Sequence, residues 1–130
     1  MSDRVVVVTG ASQGIGKATA LRLARDFSCV ALVARSEDKL KETATQVASL
    51  GARPLVVAAD LSDPEMAGHV VAKTIDAFGG IDALVNIAGA VPQVDVLEMT
   101  DEQWDDGMAL KLHGARRLTQ HAWPALRSEE

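Results

Sequence analysis

Four short runs of consecutive apolar residues alternate with longer segments in which apolar residues recur every three or four positions. The runs lie within residues 4–9, 29–34, 54–58 and 82–86, where polar residues such as Arg4 and Asn86 stand only at the ends. Unbroken apolar runs are typical of strands that are covered on both faces, as in a parallel sheet. Between the second and third runs, Leu40, Ala44 and Val47 fall on one stripe of a helix. The pattern therefore predicts strands and helices in alternation.

Capping residues indicate where the helices begin and end. Gly51 follows the second helix as a C-cap. Asp63 precedes the third helix as an N-cap, with Pro64 at the first helical position. Thr100 has the spacing of a capping box and opens a last long helix. The predicted helices extend from 14 to about 26, from 37 to 50, from 64 to 78, and from 101 to an end or a kink at Pro124.

This alternation, with short connections, predicts one α/β domain built on a doubly wound parallel sheet with helices on both faces. In such a sheet, ligands bind outside the carboxyl ends of the strands, where the strand order reverses. Arg35, Asp60 and Asn86 each lie at or just after the carboxyl end of a predicted strand. We therefore expect a ligand site at that edge of the sheet.

The first strand leads directly into a glycine-rich turn, Thr9 to Gly16, and then into a helix. A helix N-terminus has unpaired N–H groups and a partial positive charge, so it attracts a pyrophosphate. Glycine is required where a side chain would block the ligand or where the turn needs a positive φ. The order strand, glycines, helix therefore predicts a site for a phosphorylated cofactor.

Composition narrows the class of protein. The 130 residues carry a net charge of −5, which argues against a nucleic-acid or anionic-membrane partner. No apolar run reaches the roughly 18 residues that a membrane span needs, and the first strand begins too early to leave room for a signal peptide. A single cysteine, Cys29, fits a reducing, cytoplasmic location and a core position. The three histidines, His69, His113 and His121, have no metal-ligand spacing, so no metal is expected.

Three motifs together resemble the short-chain dehydrogenase/reductase family, of the classical type. They are Thr9-Gly10-x-x-x-Gly14-Ile15-Gly16 after the first strand, Asp60 after the third, and Asn86-Ile87-Ala88-Gly89 after the fourth, where the family has Asn-Asn-Ala-Gly or Asn-Ala-Ala-Gly. The resemblance covers essentially the whole chain. It implies a Rossmann-type doubly wound sheet truncated after about four strands, so that 1–130 would form a dinucleotide-binding domain that is incomplete at its C-terminus.

The resemblance also implies which residues contact the dinucleotide. Gly10, Gly14 and Gly16 would line the dinucleotide, and Ser12, Gln13 and Ile15 would lie near the phosphates and ribose. Asp60 would hydrogen-bond the adenine amino group, with Leu61 beside it. Asn86 would stabilise the central strands, and Ala88 and Gly89 would lie behind the nicotinamide ribose. By residue type alone, Asp60 is also typical of a loop ahead of a helix cap. Asn86 is also suited to satisfying backbone groups at a strand end.

The end of the second strand favours NADP(H) over NAD(H). An NAD site places a carboxylate there to bind the ribose 2′-OH, but this chain has Ala34 followed by Arg35. A guanidinium matches a 2′-phosphate with two parallel hydrogen bonds. Glu37 and Asp38 are predicted to be first-turn acids of the next helix, although a rotated loop would bring one of them to the ribose.

Catalysis in the resembled family uses a serine and a Tyr-x-x-x-Lys pair, supported by an asparagine in the long helix after the fourth strand. This chain has no tyrosine, and Lys111 stands at the asparagine position. Lys111 is either a solvated helical lysine or a donor retained with added charge. No catalytic residue is therefore expected, and the chain alone is predicted to be inactive.

Three functions remain open. The chain is either the NADP(H)-binding half of an oxidoreductase that transfers hydride between the cofactor and a carbonyl or alcohol, or an inactive nucleotide-binding or regulatory module that docks with a full-length relative. The third possibility is an enzyme assembled from two chains.

The fourth strand is expected to have an open edge. Part of the last helix, including Trp104, Leu118 and Trp123, is expected to lack cover. Self-association through these surfaces is therefore predicted.

Overall fold

A computed structural model describes residues 3–89 and 93–126. Four parallel strands lie in the order β3-β2-β1-β4. In chain order, the elements are β1 (Val5–Thr9), α1 (Gly14–Leu23), β2 (Cys29–Ala34), α2 (Glu37–Ser49), β3 (Arg53–Ala58), α3 (Met66–Phe78), β4 (Ala83–Val85), α4 (Asp101–Met108), a π-helical segment (Ala109–Gly114) and α5 (Ala115–Leu126). The prediction of a Rossmann-type parallel α/β sheet with four strands is confirmed.

The strand order reverses beside β1. From β1 the chain moves outward through β2 to β3, and then returns to place β4 on the other side of β1. In register, Val5 pairs with Cys29 on one side of β1, and Val7 pairs with Leu84 on the other. The carboxyl ends of β1 and β4 therefore flank the point where a doubly wound sheet opens a crevice.

Alternate residues of the strands enter two separate cores, which explains the unbroken apolar runs. On one face, Val6 and Val8 of β1 pack in a cluster with residues of α1 and α2 such as Ala20 and Leu40. On the other face, Val7 belongs to a cluster that includes residues of α3 and α5. Burial on both faces is the physical reason that β1 contains no exposed residue.

The third helix begins two residues later than predicted. The Asp63 carboxylate accepts a hydrogen bond from the Glu65 N–H at 2.9 Å, as an N-cap would. However, the Met66 N–H bonds the Asp63 carbonyl at 3.1 Å, which closes a tight turn. Regular α-helix therefore starts at Met66, after this turn.

The last helix is not the uniform α-helix that was predicted. Ala109–Gly114 form a π-helical segment between α4 and α5. Gly114 lies so close to the loop after β3 that a Cβ there would come within 2.7 Å of the Leu61 carbonyl oxygen. Glycine at 114 thus permits the close approach of helix and loop. The capping box at Thr100 and Gln103 is confirmed, and α5 continues through Pro124 to Leu126.

The apolar side chains of the last helices are covered unequally. Leu118 is only 1% exposed in the core shared with α3, so the expectation that it lacks cover is wrong. Trp104 and Trp123 are 57% and 56% exposed. Within the described residues, β4 pairs only with β1, so its other edge is open. No helix in the described residues is long and apolar enough to cross a membrane.

Candidate functional site

The glycine-rich loop is a tight backbone turn that side chains would block. Gly10 and Gly14 have φ values of +69° and +58°, which favour glycine. Gly16 is buried, and a Cβ there would overlap the carbonyl oxygen of Gly10. The first turn of α1 can lie directly against the end of β1 only because residue 16 has no side chain.

The N-terminus of α1 is not capped by a side chain. Its N-cap residue, Gln13, makes no capping hydrogen bond, whereas the Ser36 and Thr100 hydroxyls cap α2 and α4. The N–H groups of the first turn of α1 are thus left for another acceptor. Their position beside the glycine turn suits an anionic group such as a pyrophosphate.

Thr9 connects the carboxyl ends of β1 and β4. Its hydroxyl oxygen accepts hydrogen bonds from the Ile87 and Ala88 N–H groups, both at 2.9 Å. This role of Thr9 was not predicted from the sequence. The only signal in the sequence was that a hydroxyl residue ends an apolar run, which suggests a buried hydroxyl. Thr9 is buried, with 1% of its surface exposed.

A cavity of about 460 Å³ opens along this edge of the sheet. Its volume is within the range of small-molecule and cofactor sites. Ten predicted contact residues line it: Gly10, Ser12, Gln13, Gly14, Ile15, Gly16, Arg35, Leu61, Ala88 and Gly89. Seven further lining residues were not predicted, namely Val33, Ala34, Ser36, Lys39, Ala59, Ile87 and Leu110. Most of these are neighbours of predicted residues, but Lys39 and Leu110 come from helices and required the tertiary structure.

Asp60 and Asn86 are at the predicted edge but are not among the residues that line the cavity. The Asp60 carboxylate accepts from the Ser62 hydroxyl at 2.6 Å and from the Ser62 N–H at 3.0 Å. These two hydrogen bonds, and to a smaller extent the positive charge of Arg35, hold the pKa of Asp60 below its usual value. Asp60 is therefore a fixed carboxylate in the loop after β3.

Asn86 donates from its side-chain amide to the Thr119 hydroxyl of α5 at 3.2 Å. It therefore links the end of β4 to a helix. The Ile87 and Ala88 N–H groups, just after β4, donate hydrogen bonds to the Thr9 hydroxyl oxygen at the end of β1.

Three charged residues bear on the choice of cofactor. Arg35 lies before the start of α2, and Glu37 and Asp38 lie in its first turn. Arg35 lines the cavity, whereas Glu37 and Asp38 are exposed in the first turn of α2 and are not among the lining residues. In this structure neither carboxylate lines the cavity.

Lys111 is an exposed residue of the π-helical segment, and the aliphatic part of its side chain lies over Gly89. A Cβ at Gly89 would be 3.7 Å from Lys111 Cγ and Cδ. His121 packs near Gly68 of α3, away from the cavity residues. Residues 3–89 and 93–126 contain no group of three or more His, Cys, Asp or Glu residues that could hold a metal ion.

Two curated proteins illustrate what this chain is similar to in sequence. An uncharacterised oxidoreductase from Thermotoga maritima is 37% identical over 119 residues, which are 92% of this chain and 47% of that protein. The L-rhamnose 1-dehydrogenase (NAD(P)(+)) of a Sphingomonas species is 34% identical, over 94% of this chain and 48% of the relative. The chain thus spans about half the length of these relatives.

Solved structures show the same similarity. The L-sorbose reductase of Gluconobacter frateurii, crystallised with NADPH and L-sorbose, superposes with a TM-score of 0.90 at 38% identity, over 98% of this chain and 49% of the reductase. The family model described as short chain dehydrogenase matches residues 4–130. The chain therefore belongs to the short-chain dehydrogenase family.

Proposed function

We propose that this chain is the NADP(H)-binding half of an oxidoreductase that transfers hydride between the nicotinamide cofactor and a carbonyl or alcohol substrate. The observation that carries the proposal is that Arg35 lines the cavity while Glu37 and Asp38 do not. The family membership supports the oxidoreductase class. The cytoplasm is the proposed location, because the chain has one buried cysteine and no disulfide is possible within it.

The residues of the cavity suit a dinucleotide. The glycine turn leaves backbone space at Gly10 and Gly16, and the uncapped N–H groups of α1 suit the pyrophosphate. Ala88 and Gly89 provide a small-residue wall at the end of β4, suited to the nicotinamide ribose. When bound, the cofactor supplies the hydride; the residues of this chain bind and orient it.

Arg35 carries the proposed preference for NADP(H). Within the described residues it forms no ion pair, since the ion pairs there are Arg22–Asp26 and Arg53–Asp3. The Asp60 carboxylate is close enough to interact with the charge of Arg35, but it forms no ion pair with Arg35 in the described residues. The Arg35 guanidinium is therefore still available to an anionic ligand. A 2′-phosphate would supply that anion, while the neutral 2′-hydroxyl of NAD(H) would not.

The chain contains no tyrosine, and Lys111 is an exposed residue beside Gly89. We therefore expect the chain alone to bind the cofactor without turning over a substrate. Lys111 is proposed as a solvated lysine at the nicotinamide end of the cavity.

Calorimetric titration with NADPH and NADH tests the proposal. We expect Arg35→Ala to weaken NADPH binding by about 10- to 100-fold, because a charge-assisted hydrogen-bonding partner is lost. NADH binding should change by less than about threefold. Arg25→Ala is the matched control, because Arg25 is an exposed arginine outside the cavity. A preference for NADPH that is unchanged in Arg35→Ala would refute the role of Arg35.

A further inference from the structure

We propose that Lys39 is a second residue that selects for the cofactor's 2′-phosphate and that Gln13 holds it in position. The inference rests on the proposed NADP(H) function and deepens it. Lys39 belongs to α2, well separated in sequence from the glycine loop, yet it lines the same cavity as Gln13 and Arg35.

A hydrogen bond connects the two sides of this end of the cavity. Lys39 Nζ donates to Gln13 Oε1 at 3.1 Å, across 26 residues of sequence. Gln13 is the N-cap residue of α1, and its side chain makes no capping bond there. The Gln13 side chain thus serves to hold an ammonium group from α2, and its own NH2 group remains as a further donor.

The local backbone fixes where Lys39 stands. Ser36 caps α2, and its hydroxyl accepts from the Lys39 N–H at 3.4 Å. This places Lys39 at the third position of the helix, one turn after Arg35 and Ser36, both of which also line the cavity. Glu37 and Asp38, the intervening acids, are not lining residues.

Two cationic side chains, Arg35 and Lys39, line this end of the cavity and suit a dianion. The Asp60 carboxylate is close enough to interact with the charge of Arg35 and offsets part of this positive charge. Neither Arg35 nor Lys39 forms an ion pair in the described part of the chain. A phosphate monoester carries a charge of about −1.5 to −2 at neutral pH, so it can interact with both cations at once. A ribose hydroxyl is neutral and gains little from a second cation. Lys39 would therefore discriminate between the two cofactors.

The same ammonium could instead serve the pyrophosphate, which both cofactors contain. That alternative predicts equal losses of NADPH and NADH affinity when Lys39 is removed. Binding of 2′,5′-ADP, which carries the 2′-phosphate but no nicotinamide, separates the two cases further when it is compared with 5′-AMP.

The test is calorimetric titration of Lys39→Ala with NADPH, NADH, 2′,5′-ADP and 5′-AMP. We expect NADPH and 2′,5′-ADP affinities to fall by about 5- to 20-fold and the other two to change by less than about twofold. Lys41→Ala is the matched control, since Lys41 is an exposed lysine of α2 outside the cavity, and it should leave all four affinities unchanged. Circular dichroism verifies that each variant is folded.

Gln13→Ala provides a second, independent variant. If Gln13 positions Lys39, removing both side chains should cost less NADPH affinity than the product of the two single effects.

Equal losses for NADPH and NADH in Lys39→Ala, or no loss at all, would overturn the inference. If Arg35→Ala abolishes the preference for NADPH while Lys39→Ala does not, the proposed function stands and only the role of Lys39 fails. If the unmodified chain binds neither NADPH nor 2′,5′-ADP, both fail.

Discussion

The Thr9 hydroxyl oxygen accepts a hydrogen bond from the Ala88 N–H at 2.9 Å, across 79 residues of sequence. A second bond of the same length comes from the Ile87 N–H. The next residue in the chain, Gly10, is also close, since a Cβ there would lie 3.0 Å from the Ala88 nitrogen. One side chain thus fixes the distance between the glycine turn and the opposite wall of the cavity.

Replacing Thr9 by valine keeps the shape and removes the acceptor. Two partly buried N–H groups then lose their partner, and we expect the free energy of unfolding to fall by about 2–4 kcal/mol. Thr9→Ser is the control, because it keeps the hydroxyl and should lose much less. Urea denaturation measures both. Equal stabilities for the two variants would show that these bonds contribute little.

Replacement by alanine should destabilise the chain to different extents at Gly14 and Gly16, the two glycines at the start of α1. At Gly16 the new Cβ would overlap the Gly10 carbonyl oxygen, so backbone must move. At Gly14 there is open space, and only its φ of +58° opposes the change. We expect Gly14→Ala to cost about 1–2 kcal/mol and Gly16→Ala clearly more. Thermal melting followed by circular dichroism compares them, and a milder effect at Gly16 would contradict the close packing.

The pKa of Asp60 should depend more on Ser62 than on Arg35. The hydrogen bonds from Ser62 are the main cause of the lowered pKa, and the charge of Arg35 is the smaller one. Ser62→Ala should therefore raise the pKa of Asp60 toward its usual value of 3.8, and Arg35→Ala should raise it less. Carboxyl NMR titration measures both shifts; the reverse order would be inconsistent with this geometry.

The lowered pKa also gives a sign for the dependence of stability on pH. Asp60 releases its proton more readily in the folded chain than in the unfolded one, so its contribution is present above its unfolded pKa and is lost as pH falls through the folded pKa. At neutral pH the unsubstituted chain should therefore have a slightly larger free energy of unfolding than the Asp60→Asn variant. This difference should shrink below about pH 4. Urea denaturation at pH 7 and pH 3 tests this; a difference that grows on acidification would contradict it.

The exposed tryptophans predict self-association between copies of this chain. Trp104 and Trp123 are more than half exposed, and the outer edge of β4 is open within the described residues. Sedimentation velocity should show a dimer or larger species that dissociates on dilution and is weakened by Trp123→Glu. Leu50→Glu, at a 41% exposed apolar position at the end of α2, is the matched control. A monomer at all concentrations would exclude this interaction.

The sequence was sufficient for the parallel sheet, because buried parallel strands need unbroken apolar runs such as 29–34. It was also sufficient for the glycine turn, whose backbone leaves no room for side chains at Gly16. It was insufficient where side chains from distant segments meet. The Lys39–Gln13 bond depends on how α2 packs beside α1, and the contact between Gly114 and Leu61 depends on a π-helical segment. Local periodicity contains no signal for either.

Amide NMR of the isotopically labelled chain, titrated with NADPH, shows directly whether the cavity at the carboxyl ends of the strands binds the cofactor. The largest shifts are expected at the glycine turn, at Arg35 and at Ala88–Gly89, all of which line one cavity. Amides at the opposite edge of the sheet, such as those of Ser28 and Asp82, should stay unchanged. No shifts at saturating NADPH, or shifts confined to the groove between α1 and α2 that includes Leu21 and Gln46, would show that the cavity does not bind NADPH.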